Sequence, residues 1–151
     1  MPFLRGFAYG CVAAGDMLMA SGERARAEKL LKATLTAIDY AAHDLRRGEM
    51  WYLIDKATAL ALLGDRKATL AALRRAVRED YISTWAQLPI DPAFDLLRTD
   101  PEYQSLMREI KDKLAHERQV LAQMRADGRV PDRSGRSPAR PTTAKTPSGA
   151  P

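Results

Sequence analysis

The sequence predicts an all-α protein, on three observations. Ala and Leu dominate a composition with only 7% aromatic residues. Apolar residues recur at three-four spacing, and no segment sustains the alternation of β-branched residues that a strand needs. Breaks marked by glycine fall between the periodic segments. At 151 residues, 46% of them hydrophobic and 28% charged, the chain is long enough for one domain with its own core.

The elements follow in order. Phe3, Phe7, Cys11 and Leu18 predict a first helix over about residues 3–20, stopped by Ser21-Gly22. Ala27, Leu30, Leu31, Leu35 and Ile38 give the second, over about 23–44, one apolar face; Arg46-Arg47-Gly48 ends the stretch. A third helix over about 49–63 closes at Gly64, where a left-handed residue carries no steric penalty. Asp65 then offers its carboxylate to the first free amides of a fourth, reaching about Asp80. Asp91-Pro92 and, nine residues on, Asp100-Pro101 both read as helix starts, because Asp caps free amides and Pro needs no amide hydrogen at the first position. Phe94 and Leu97, then Tyr103 and Leu106, form an inward stripe. A long final helix over about 101–126 carries Tyr103, Met107, Ile110, Leu114, Leu121 and Met124, interrupted by Glu117.

The first four helices form a repeat. Gly22-Glu23-Arg24 matches Gly64-Asp65-Arg66 at an offset of 42 residues. At the same offset Gly15 pairs with Ala57, Ala27 with Thr69, Leu31 with Leu73, Thr34 with Ala76 and Leu35 with Val77. A helix, a glycine corner and a second helix, repeated, predict an α-solenoid. Small residues let paired helices approach, and the large apolar residue fills the groove between them.

These residues resemble the tetratricopeptide repeat family over about residues 3–80. The glycine corner, the small residue five positions on, the large apolar one four beyond and the next small one occupy the family's places in both units. The offset exceeds the family's usual ~34 residues, which implies a longer second helix or loop around Ile38 to Gly48. Lys56 stands at a position normally apolar. The Asp-Pro segments resemble the closing part of repeat arrays at the C-terminal ends of bacterial regulators: winged-helix transcription factors, nucleotide cyclases and kinases. The implied architecture is two helical hairpins over 1–80, a short helix and a long capping helix over 81–127, and a tail over 128–151.

That tail holds five of the nine prolines and, through Arg129, Arg133, Arg136, Arg140 and Lys145 against Asp132, four of the five net positive charges. It has no aromatic residue, so it is expected to be disordered and solubilising. Cys11 is the one cysteine, which excludes an internal disulfide and predicts a reducing, cytoplasmic setting. The richest apolar run, Phe7 to Ala20, contains Asp16 and is too short to span a membrane. Its helical spacing reads as a folded helix rather than a secretion signal.

An enzyme is not expected, nor a cofactor or bound metal. His116-Glu117-Arg118-Gln119-Val120 begins like a zinc-protease helix but has Val120 where the second histidine must stand. His43 stands apart beside a loop, and no glycine-rich phosphate loop or serine nucleophile motif occurs. The resemblance implies instead a protein–protein interaction module whose first helices line a concave groove for a peptide or partner protein. Carried over, that groove is Tyr9, Val12, Asp16 and Met19 from the first unit, and Trp51, Ile54, Thr58 and Leu62 from the second. The family's clamp for a C-terminal carboxylate uses Lys and Asn where Val12 and Asp16 stand here, so a basic or apolar ligand is expected. The alternative is a nucleic-acid-associated protein using the tail and a basic side of helix four: Arg66, Lys67, Arg74, Arg75 and Arg78. Repeat stacks generally need about three units. Two recognisable ones therefore imply that the chain is the C-terminal piece of a longer protein, or that a partner or second copy covers its N-terminal face. A homodimer is expected through that open end or through Val120, Leu121 and Met124 of the last helix.

Overall fold

Both predicted corner glycines take the left-handed backbone conformation, Gly22 at φ 81° and Gly64 at φ 78°. A side chain at this φ would crowd its own backbone, so glycine is the natural residue at each turn. A computed structural model of the chain describes residues 3–43, 52–79 and 88–130. Its helices are α1 (Phe3–Ala20), α2 (Arg24–His43), α3 (Leu53–Leu62), α4 (Arg66–Arg78), a short 3-10 helix (Pro92–Leu97) and α5 (Pro101–Ala126). No strand occurs among the described residues, so the protein is all-α.

Compactness divides the chain into two units, Met1–Lys111 and Asp112–Pro151, with the boundary inside α5. In the first unit α1 packs on α2 and α3 on α4, as two hairpins. The third helix also packs against α1, α2 and the 3-10 helix, so it lies between the first hairpin and the closing segment.

The two corners share one hydrogen-bond pattern. The Glu23 amide donates to the Leu18 carbonyl (2.9 Å) and that of Gly22 to Met19 (3.1 Å). Asp65 donates to Leu60 (3.0 Å) and Gly64 to Ala61 (2.9 Å). This closes the carbonyls left free at a helix end by the paired bonds of a Schellman turn. The offset of 42 residues therefore relates real backbone geometry as well as residue types.

The predicted core positions are buried in both hairpins, except that Leu30 and Leu35 are half-buried. Leu31 and Leu73 are 0% and 1% exposed, and Ala27, Thr69, Thr34, Ala76, Ala57 and Val77 are buried with them. Gly15 is needed where it stands: a Cβ there would lie 2.5 Å from Leu31 Cδ2 and 2.8 Å from Cγ. Thr34 and Thr69 satisfy their buried hydroxyls by donating to the Leu30 carbonyl at 2.9 Å and the Asp65 carbonyl at 2.7 Å. Lys56 does not interrupt the core. Its Nζ donates to Asp39 Oδ1 at 2.6 Å, an ion pair from α3 to α2.

Closure of the second hairpin falls to the Asp-Pro segments. Asp91 caps the 3-10 helix through the Ala93 amide (2.9 Å), and Asp100 accepts from the Glu102 amide at 2.8 Å. The first of these starts thus opens a 3-10 helix of six residues, too short to fill more than two turns. Phe94, Leu97, Tyr103 and Leu106 are all buried, as the stripe predicts. The Phe94 and Tyr103 rings stack at 6.0 Å between centroids, and the Tyr103 hydroxyl donates to the Leu88 carbonyl at 3.0 Å. Burial pushes the Tyr103 phenol upward from its ordinary range.

Among the described residues the helix ends are close to those the pattern predicts. The 20 residues of α2, against 13 in α4, account for part of the long repeat. Residues 44–51, 80–87 and 131–151 lie outside the described residues, and with them the start predicted for the third helix and nearly all of the predicted tail. In the second unit α5 continues to Ala126, where Gly128, at φ 70°, makes a third turn of the corner type: Arg129 N–H to Met124 O at 2.9 Å and Gly128 N–H to Arg125 O at 3.0 Å.

Candidate functional site

Apart from Trp51, the expected groove residues stand on α1 and α3, two helices in contact. Their environments differ. Tyr9 is 69% exposed, and Asp16 is also exposed, on the same side of α1 two turns apart. Met19, Ile54, Thr58 and Leu62 are half-buried. Met19 and Leu62 both pack on one cluster, which joins the two helices at their C-terminal ends. The Thr58 hydroxyl donates to the Ile54 carbonyl at 3.0 Å.

Val12 is placed differently from the expectation. It is 5% exposed and packs with Leu31 and Ala59 in the seam between the hairpins, so it belongs to the core rather than to a groove. The cause is helical phase: Val12 faces Leu31 of α2 and Ala59 of α3 at once. Trp51 lies outside the described residues. What remains is an accessible strip with Tyr9 as its aromatic, Asp16 as its exposed carboxylate and a partly apolar floor. Such a strip can hold a side chain by contact with the Tyr9 ring and a cation by Asp16.

The basic side of helix four is largely engaged. The Arg66 guanidinium donates to Asp100, Arg74 pairs with Glu102, and Arg75 with Glu79 at 2.7 Å. The first two join α4 to the start of α5. The Arg66 hydrogen bond, with help from the Tyr103 amide, holds the Asp100 carboxyl below the ordinary carboxylate range against the opposing effect of burial. These arginines therefore work within the fold, and a phosphate track would have to compete with their carboxylates. A groove of about 300 Å³ between the same elements is floored by Val77 and Leu106, with Arg74 and Arg78 facing Glu102 and Glu109, so it has no net charge to select an anion.

No group of three or more metal-ligating side chains occurs among the described residues. His43 and His116 are both exposed. No helix among the described residues is long and apolar enough to cross a membrane.

The exposed apolar surface of the first hairpin lies at the end where the sequence leads one to expect a partner or a second copy. Phe7, Met17 and Tyr40 are 58%, 72% and 58% exposed. Within the repeat, positions that are covered in the second unit have uncovered equivalents in the first, such as Ala59 and Met17. No protein-family model, curated protein or solved structure matches this chain.

Proposed function

We propose that this chain is a tetratricopeptide-like α-solenoid module that binds a peptide or protein segment along the α1–α3 face and performs no chemistry itself. The observation that carries the reading is the pair of matched glycine corners, with the same small and large core positions following each. A stack of hairpins turns its first helices toward a common side, where an extended segment meets several helices at once. The ligand chemistry follows from Tyr9 and Asp16: an exposed aromatic beside an exposed carboxylate favours a basic or apolar segment over an acidic one. The resemblance of the Asp-Pro closing segment to the ends of regulator repeat arrays supports a bacterial, cytoplasmic signalling or transcriptional setting.

The test is a nuclear magnetic resonance titration of the chain with short extended peptides of three kinds: lysine-rich, wholly apolar and glutamate-rich. The reading expects the first two to shift the amides of Tyr9, Asp16, Met19 and Thr58. Asp16→Lys should transfer the preference to the acidic peptide. Shifts confined to other surfaces, or a preference for the acidic peptide in the unaltered chain, refute it.

A further inference from the structure

The second half of α5 carries an open apolar row edged with cations. Along this helix Ile110 is the last buried residue among those described. Beyond it Leu114 and Met124 are half-buried, Val120 and Leu121 are 40% and 36% exposed, and residues 115–123 are exposed throughout. Leu114, Glu117, Leu121 and Met124 follow one another at alternating intervals of three and four residues, the spacing of a coiled-coil contact row. Arg118 and Arg125 each come one residue after a member of that row and flank it on one side. Lys113 and Val120 each come one residue before a member and flank it on the other. No carboxylate stands on either flank, and Glu117 sits within the row itself. Among the described residues neither Arg118 nor Arg125 makes an ion pair, and Arg125 Nε is buried with no hydrogen-bond partner. The arginines of α4 differ, since Arg66, Arg74 and Arg75 each pair with a carboxylate.

We propose that this row docks an amphipathic helix of another protein, one with acidic residues flanking its apolar row and a lysine or arginine within it. The charges select this occupant over a second copy. In a parallel pair of copies Lys113 of one meets Arg118 of the other, and the two Glu117 side chains meet in the contact row. In an antiparallel pair Arg118 meets Arg125. Both arrangements set like charges against each other, which costs affinity. Acidic flanks turn the cation contacts into attractions, and a cation opposite Glu117 pairs the one carboxylate in the row. A polar residue at such a position fixes register and partner at a cost in stability, which makes Glu117 the residue that discriminates between helices. The chain's own residues 131–151 carry four cations against one carboxylate, so they do not match these flanks. From Leu114 to Met124 the row is about 15 Å long, which suits a reversible contact rather than a permanent one. This proposal does not rest on the peptide-binding reading, whose strip lies on α1 and α3 and favours a basic or apolar extended segment. A glutamate-rich extended peptide has no apolar row and does not satisfy this face.

Calorimetric titration of the full chain with two synthetic amphipathic helices tests it. Both helices have leucine along the contact row with one central lysine; the flanks are all glutamate in one and all lysine in the other. Each repels its own copies to a similar degree, so self-association does not bias the comparison. The glutamate helix should bind about tenfold or more tightly than the lysine helix, with the advantage shrinking as salt rises. Arg118→Glu combined with Arg125→Glu should reverse that order. Leu121→Asp should abolish binding of both helices by placing a charge in the apolar contact. None of these three positions is buried, so the far-UV circular dichroism of each variant should match the unaltered chain. Amide shifts on adding the glutamate helix should fall within residues 113–125. Equal affinity for the two helices overturns the proposal, as does binding of neither. So do shifts confined to α1 or α3, or a chain that sediments as a dimer which Leu121→Asp dissolves.

Discussion

Hairpin one and hairpin two use the same corner to different ends. In the second, Asp65 reaches the Ala68 amide at 2.9 Å, Ala57 is fully buried, and the closing segment that covers it buries its own Phe94 at 0% exposure. In the first, Glu23 at the matching position pairs with Arg26 and accepts from the Ser21 hydroxyl, Gly15 replaces Ala57, and Phe7 and Met17 remain in the open. A repeat thus keeps the geometry that turns the chain while leaving each unit's outer surface to its neighbours. The inner hairpin has two neighbours and is covered; the outer one has a single neighbour and keeps an apolar face.

The sharpest way to break this contrast is to truncate one phenylalanine from each end. Phe94→Ala should lower the unfolding free energy by about 3–5 kcal/mol in urea titrations, since a buried ring leaves a cavity. Phe7→Ala, at 58% exposure, should change it by no more than about 0.5 kcal/mol in dilute monomer. A loss at Phe7 comparable to that at Phe94 would mean the two ends are equally packed.

Next in size is the helix contact. Gly15→Val should cost about 1–3 kcal/mol, because the new atoms enter space held by Leu31, which is fully buried and has little room to move. Ala57→Val should fall in the same range if the two positions are true equivalents. The same denaturation experiment checks both.

Smaller still are the corners. Gly22→Ala and Gly64→Ala should each cost about 1–2 kcal/mol, the left-handed penalty of a side chain. Nothing lies within 4 Å of a Cβ at either glycine, so the cost is conformational and should match between the two. Unequal melting shifts at the two corners would separate hairpins that the backbone bonding makes alike.

The smallest effect is electrostatic. Asp100 is held below the ordinary carboxylate range by Arg66, so its contribution is complete above the pH where the unfolded chain's carboxylates titrate. It fades as pH falls through the lower native value. Thermal melts between about pH 3 and 6 should show this acid-side decline. Asp100→Asn should flatten it, and Glu28→Gln, at the exposed Arg24–Glu28 pair on hairpin one, should change it less.

Much of this architecture was legible in the residues. Glycine at a corner and aspartate before a helix act through their own backbone or the next few amides, and so Gly22, Gly64, Asp65, Asp91 and Asp100 announce their roles locally. Periodicity likewise placed Leu31, Leu73, Phe94 and Tyr103 inside. The candidate site was less legible. Val12 and Asp16 are one turn apart, yet one is core and one is exposed, because that depends on where α3 sits against α1.

The amino-acid sequence alone determined the helices, their corners and the repeat, since each rests on contacts between residues a turn or two apart. Only the tertiary structure decided which faces stay open and which charges are spent. Arg66 finds Asp100 across 34 residues, and Met17 is left uncovered while its equivalent Ala59 is sealed. Burial belongs to the neighbour as much as to the residue, and two units with one pattern acquire different surfaces when only one of them lies between others.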